Sequence, residues 1–138
     1  MADEIMVAEN TELANVDFKI PEGFICTVDL STEEGKIAVA TALNGAEPLK
    51  DYVGKELILT DVVTTSGIRA VSGTECTNTY LILKDGKVLF SQSDGVARSI
   101  RTIVALWGGD FGDKGRKIKC VEQKLNNGNS LKVLVPIG

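Results

Sequence analysis

The chain has 138 residues, of which 43% are hydrophobic and 25% are charged, values typical of one globular domain. It contains no histidine, which removes the usual general base and every Ser-His or Cys-His nucleophile pair, so we expect a protein that is not an enzyme. Its apolar runs are far shorter than the ~20 residues of a membrane-spanning helix, and no basic-then-apolar leader opens the sequence. The composition predicts a cytoplasmic protein that makes no membrane contact.

The cysteines give no sign of a bound cofactor. Cys26, Cys76 and Cys120 are too widely spaced for a metal-binding CxxC pair, and an odd number cannot close into disulfides among themselves. We interpret them as reduced, structural residues. The sequence also has neither a phosphate-binding loop nor the glycine pattern of a dinucleotide site. We therefore expect neither a cofactor nor a metal.

The net charge of −4 conceals two unlike halves. Residues 1–61 carry thirteen acidic side chains against four lysines, a balance of −9, whereas residues 62–138 carry six against eleven basic side chains, a balance of +5. The excess is greatest between residues 114 and 132, where Glu122 is the one acidic residue among the basic residues Lys114, Arg116, Lys117, Lys119, Lys124 and Lys132. The sequence therefore contains a local basic stripe despite its negative total.

The first 54 residues predict an arm, a short strand and a helix. Residues 1–17 mix acidic and small side chains without a sustained period, which predicts a flexible acidic arm. The β-branched and aromatic run Phe24–Val28 predicts a strand. Ser31–Glu34 has the form of a capping box and predicts the start of a helix that ends at Asn44-Gly45. Its buried side is expected to carry Ile37, Ala40 and Leu43.

Three strands are predicted next. Glu56–Thr65 is rich in β-branched residues and is followed by a loop around Ser66-Gly67. The segments Thr77–Leu83 and Lys87–Gln92 flank Asp85-Gly86, a pair typical of tight hairpin turns. These segments predict a three-stranded meander.

A second helix is predicted after the meander. Ser93 or Asp94 can cap a helix that ends at Gly108-Gly109, and its apolar residues recur at the spacing of one helical face. That face consists of Val96, Ile100, Ile103, Val104 and Trp107. We expect Trp107 to pack against the core, and Arg98 and Arg101 to lie off the face.

Two further strands, Lys117–Lys124 and Ser130–Pro136, are joined by the turn Asn126–Gly128. Three strands, a helix and two strands are the element order of the OB-fold, a five-stranded Greek-key barrel with its helix between the third and fourth strands. We predict a mainly β protein with two helices in which residues 18–138 form one OB-fold domain. Residues 55–138 would make the barrel, and residues 18–54 a strand-helix addition packed on it.

Proteins hold single-stranded nucleic acid with a basic groove that follows the phosphates and with aromatic rings on which bases stack. Lys117 and Lys119 alternate with core-type residues, and Lys132 lies between two apolar residues, so a period of two places these lysines opposite the core. We expect them to contact phosphates, although on an antiparallel sheet they could equally serve solubility alone. Further basic contacts are expected from Arg69, a mobile clamp in the first barrel loop, and from Arg116 and Lys124.

The aromatic candidates are three. Tyr80 and Phe90 lie on the middle strands, which form the usual ligand face of an OB barrel, and each either stacks on a base or belongs to the core. Phe111 lies in the glycine-rich loop 108–115, where it either stacks on a base or plugs one end of the barrel.

Four segments resemble single-stranded-DNA-binding proteins encoded by phages and conjugative plasmids of Gram-positive (Firmicutes) bacteria. They are Thr27–Lys36, Val53–Glu56, Ser93–Ile100 and Lys124–Lys132, and the likeness extends over about residues 25–136. The resemblance implies an OB-fold protein that coats single-stranded DNA during replication or conjugative transfer, without a cofactor, and it leaves self-association along the DNA open. The alternative is an OB-type interaction or structural module of a virion or secretion apparatus that binds no nucleic acid.

Overall fold

A computed structural model describes residues 25–109, 111–112, 114–128 and 130–137. The predicted acidic arm, residues 1–17, lies outside them. The described elements, in chain order, are β1 (Ile25–Cys26), α1 (Glu33–Asn44), β2 (Glu47–Pro48), a 3-10 helix (Leu49–Tyr52), β3 (Glu56–Ile68), β4 (Glu75–Leu83), β5 (Val88–Ser91), α2 (Asp94–Trp107), β6 (Arg116–Lys124) and β7 (Ser130–Pro136). Neither described helix is long and apolar enough to span a bilayer.

The strands of the described residues join one curled sheet in the order β2-β5-β4-β3-β6-β7, with β1 paired to β3. All pairings are antiparallel except that of β2 with β5. An irregularity between Leu59 and Asp61 bends β3, so its first part pairs with β6 and its later part with β1. Among the described residues, no ladder joins β5 to β7. The protein is thus mainly β, with a half-barrel that is consistent with an OB-like barrel.

The core lies between the concave side of this sheet and α2. The predicted apolar face of α2 is confirmed, because Val96, Ile100 and Ile103 are buried and Val104 and Trp107 pack at the margin of the core. Sheet residues complete the core, among them Leu59, Val62, Leu81, Leu89, Ile118, Cys120 and Leu134.

Helix α2 also covers the free edge of β7. The Ser99 hydroxyl accepts a hydrogen bond from the Leu134 N–H at 3.0 Å, and the Ser93 hydroxyl lies 3.5 Å from the Lys132 carbonyl, to which it donates. A Cβ atom at Gly95 would overlap that same carbonyl. Side chains of α2 therefore satisfy edge groups of β7 that would otherwise be free to pair with another strand.

The segment before β3 is part of the same sheet. It supplies β1 and β2, and Leu49 of the 3-10 helix is 1% exposed within the core. The Gly54 N–H donates to the Cys120 carbonyl at 2.7 Å, which ties the end of this segment to β6. The expected addition thus contributes two strands and a core side chain.

The start of α1 differs from the prediction. The N-cap is Thr32, whose hydroxyl accepts from the Gly35 N–H at 3.0 Å, and the capping box predicted at Ser31 is wrong. The Ser31 hydroxyl instead donates to the Asp29 carboxylate at 2.6 Å, so it is engaged one residue before the N-cap. The end of α1 at Asn44, with Gly45 as its C-cap, is as predicted.

The buried side of α1 was also predicted wrongly. Ile37 is 57% exposed, and Ala40 and Leu43 are exposed too. The buried residues are Gly35, Val39 and Ala42. A Cβ at Gly35 would overlap the Asp29 carbonyl, so Gly35 is buried against the turn that precedes the helix.

Candidate nucleic-acid interface

A groove of about 490 Å³ lies beside the end of β5, between the β2 segment and β7. Its cationic side chains come from three separate parts of the chain, namely the 3-10 helix, the loop 69–74 and β7. The lining consists of Pro48–Lys50, Arg69, Phe90–Ser93 and Lys132, and none of these described side chains is a carboxylate. We call this site the basic groove.

Tyr80 and Phe90 lie directly opposite each other on β4 and β5. Their ring centroids are 5.1 Å apart and the ring planes are inclined at 47°. The adjacent pair Leu81 and Leu89 faces the core, so the two rings lie on the outer face of the sheet, where both are half-buried. Phe90 also lines the basic groove, and its ring is therefore placed where a base could stack on it.

Arg69 lies in the loop 69–74 at the edge of the groove, and its guanidinium is held in place. Nη1 donates to the Glu75 carbonyl at 3.3 Å and to the Thr74 hydroxyl at 3.4 Å. Nη2 donates to the Gln92 carbonyl at 3.1 Å and to the Asp94 carboxylate at 3.0 Å. The residue expected as a mobile clamp thus ties its loop to the start of α2.

Lys132 lies on a different face from the one predicted. The register pairs Cys120 with Leu134 and Glu122 with Lys132, so Lys132 shares the side of the buried Leu134. The prediction that Lys132 lies opposite the core is wrong. It assumed that the neighbours of Lys132, Leu131 and Val133, enter the core, whereas Leu134 does so. This side faces the groove, and Nζ of Lys132 is 3.9 Å from Oε2 of Glu122.

The three lysines of β6 do not line the groove. Lys117 and Lys119 alternate with the buried Ile118 and Cys120, so their predicted position on the outer face is confirmed. They pair with the first residues of β3, and Lys119 also pairs with Val135 of β7, three residues past the groove residue Lys132. Lys124 pairs with Ser130 at the exposed end of the β6–β7 hairpin.

Phe111 and Arg116 belong to the opposite end of α2. Phe111 is 5% exposed and is part of the core cluster, which corresponds to the plug rather than to a stacking ring. The Arg116 guanidinium lies 4.2 Å from the centroid of the Trp107 ring, and Trp107 packs against the core as expected. The 14 residues of α2 correspond to roughly 20 Å of helix between this cluster and the groove.

Lys50 is a groove residue that the sequence did not reveal. It belongs to the strongly acidic half of the chain and lies next to a two-residue strand. The parallel pairing that sets Pro48 opposite Phe90 carries Lys50 to the groove. A two-residue strand that includes proline has no hydrophobic period by which it could be recognised.

Burial raises the pKa of the Cys120 thiol, and it likewise raises that of Cys26, although the Val28 carbonyl partly opposes the shift at Cys26. A raised pKa keeps a thiol neutral and unreactive, which agrees with a structural role for these two residues. Among the described residues, no group of three His, Cys, Asp or Glu side chains is placed to hold a metal ion.

A curled OB-like sheet that carries a basic groove lined by a half-buried aromatic ring has the features with which proteins hold single-stranded nucleic acid. The family model described as Phage Single-stranded DNA-binding protein, of the Phi29 type, matches residues 19–135, and the chain belongs to this family. Its members are binding proteins, and membership supports single-stranded DNA binding in a phage context. No curated protein and no solved structure matches the chain.

Proposed function

We propose that this protein coats single-stranded DNA without sequence preference, in the cytoplasm, during replication of a phage genome or conjugative transfer of a plasmid in a Gram-positive host. Family membership supports the DNA ligand and the phage context. The resemblance of four short segments to phage and plasmid proteins of Firmicutes supports the host and the process. For the fold we propose one OB domain, residues 18–138, in which β3 to β7 are the five barrel strands.

The observation that carries this proposal is the composition of the basic groove. Lys50, Arg69 and Lys132 surround a channel that Phe90 also lines. Phosphates and base faces are common to all nucleotides, so cations and a ring hold a strand whatever its sequence. We propose that the three cations contact phosphates, that Phe90 stacks on a base and that Tyr80 supports its ring.

The other predicted basic residues are proposed as contacts outside the groove. Lys124 at the hairpin end and Arg116, Lys117 and Lys119 at the start of β6 do not line it. They would be reached by a strand that is longer than the groove. The affinity should therefore rise with oligonucleotide length beyond the length that fills the groove.

A gel shift tests this function with oligo-dT, a mixed-sequence single strand of equal length and the matching duplex. We expect the protein to shift both single strands to a similar extent and to shift the duplex far less. If the protein retains neither strand nor duplex, it is an interaction module without nucleic-acid binding and the proposal is wrong. Strong preference for one sequence would contradict the coating function.

A further inference from the structure

A carboxylate stands beside two of the three groove cations. Nη2 of Arg69 donates to Oδ1 of Asp94 at 3.0 Å, and Nζ of Lys132 is 3.9 Å from Oε2 of Glu122. The first contact has hydrogen-bond length, whereas the second is a looser ion pair. Asp94 directly follows the lining residue Ser93 and contacts Arg69, so it lies beside the groove, and its side chain is 67% exposed to an approaching phosphate.

We propose that the Asp94 carboxylate and a DNA phosphate bind the same position on Arg69. Asp94 holds this position in the free protein, and the phosphate holds it in the complex. Asp94 is then an internal competitor of the ligand and limits the affinity of the groove for single-stranded DNA. This inference rests on the proposed function and adds to it a residue that works against binding.

The contacts of Arg69 indicate which partner a phosphate would replace. The two Nη atoms carry four N–H groups, and four acceptors are described for them. Three acceptors are uncharged, namely the Thr74 hydroxyl and the carbonyls of Glu75 and Gln92, and they belong to the loop and the strand end that Arg69 holds together. Asp94 is the charged acceptor of the four, and it is mostly exposed. A phosphate can take its place and leave the other three contacts intact.

Charge makes this exchange necessary. A phosphate that approached Arg69 while Asp94 stayed in place would lie within a few ångströms of a second anion, and like charges repel most strongly where water is partly excluded. Asp94 is the first residue of α2, directly after the N-cap Ser93. The positive end of the helix dipole still stabilises the carboxylate there after it turns away from Arg69. The exchange therefore breaks the contact with Arg69 without leaving the carboxylate unstabilised.

Asp94→Asn tests the proposal, because it removes the charge and preserves the size of the side chain. We expect oligo-dT to bind about three- to tenfold more tightly at low salt, and the log-log dependence of affinity on salt to steepen by up to about 0.7. Asp85→Asn is the matched control. Its carboxylate pairs with Lys87 at 3.3 Å in the β4–β5 turn, outside the groove, so this variant makes the same charge change and should leave the affinity unchanged.

Unchanged or weaker binding by Asp94→Asn at an unchanged melting temperature would overturn the proposal, as would an equal gain in Asp85→Asn. If Asp94→Asn lowers the melting temperature, the affinity of Asp94→Ser is measured instead, because serine is favoured at helix starts. In an Arg69→Gln background the gain should vanish, because the competition acts through Arg69. If the wild-type protein itself does not bind oligo-dT, the proposed function fails and this assignment fails with it.

Discussion

The rings of Tyr80 and Phe90 form a contact pair on the outer face of the sheet, with centroids 5.1 Å apart. Phe90 lines the basic groove, and Tyr80 lies opposite it on the neighbouring strand. A ring that is already held by another ring loses little freedom when a base stacks on it, so the pair is suited to binding.

We expect Phe90→Ala to weaken oligo-dT binding by about 1–3 kcal/mol, since it removes the ring on which a base stacks. Fluorescence anisotropy with labelled oligo-dT measures the change. Tyr80→Phe keeps the supporting ring and should bind as the wild type does. If Phe90→Ala binds normally while its stability is unchanged, the ring does not contact DNA.

The groove cations should appear in the salt dependence of binding. Each lysine that neutralises a phosphate contributes a slope of about −0.7 on a log-log plot for single strands, so Lys50→Ala and Lys132→Ala should each flatten the slope by about that amount. Lys36→Ala changes an exposed lysine on α1, outside the groove, and should leave the slope as it is. An affinity that does not respond to salt between roughly 50 and 200 mM would refute the electrostatic part of the account.

Phe111→Ala should destabilise the protein by about 3–5 kcal/mol, the range for a large aromatic residue removed from a core. Chemical denaturation measures this free energy of unfolding. Leu106→Ala is the matched control on α2, because Leu106 is 68% exposed and its loss should change stability by less than about 0.5 kcal/mol. If Phe111→Ala has normal stability and reduced DNA affinity, its ring stacks on DNA after all.

Gly95→Ala should cost about 1–3 kcal/mol of stability, because the added methyl group overlaps the Lys132 carbonyl and forces α2 away from β7. The same displacement moves Lys132, so DNA binding should weaken as well. Gly45→Ala is the control: its φ is −146° and its Cβ would meet the Thr41 carbonyl at 3.7 Å, an ordinary contact. Thermal melting measures the stability of both variants. If Gly95→Ala is as stable as Gly45→Ala, the close packing of α2 on β7 is contradicted.

The fold could be predicted from sequence where several local signals agree. Helix α2 runs from Asp94 to Trp107 as predicted, because the capping residue Ser93, a regular apolar face and the following Gly108 all indicate the same bounds. In the structure Gly108 ends the helix with a φ of 70°. Helix α1 has apolar residues on several sides, among them three alanines, so periodicity could not identify its buried face. Strand β2 has two residues, too few for any period.

The site could be predicted in part, because its residues come together only through tertiary structure. Arg69 and Phe90 were expected as binding residues, and both line the groove. Lys132 was placed on the wrong face. Alternation along β7 defines two faces, but it does not indicate which of them is buried, because that depends on the pairing register. Lys50 reaches the groove through a parallel pairing far along the chain, which no local pattern encodes.

The central claim is that single-stranded DNA binds in the basic groove, and NMR titration of the isotope-labelled protein with an oligo-dT just long enough to fill the groove tests it most directly. We predict that the largest changes in amide chemical shift fall on Lys50, Arg69, Phe90 and Lys132 and their neighbours, while Trp107 and Gly108 at the far end of α2 change little. Shift changes concentrated at Lys117 and Lys119, with the groove signals unmoved, would contradict the account.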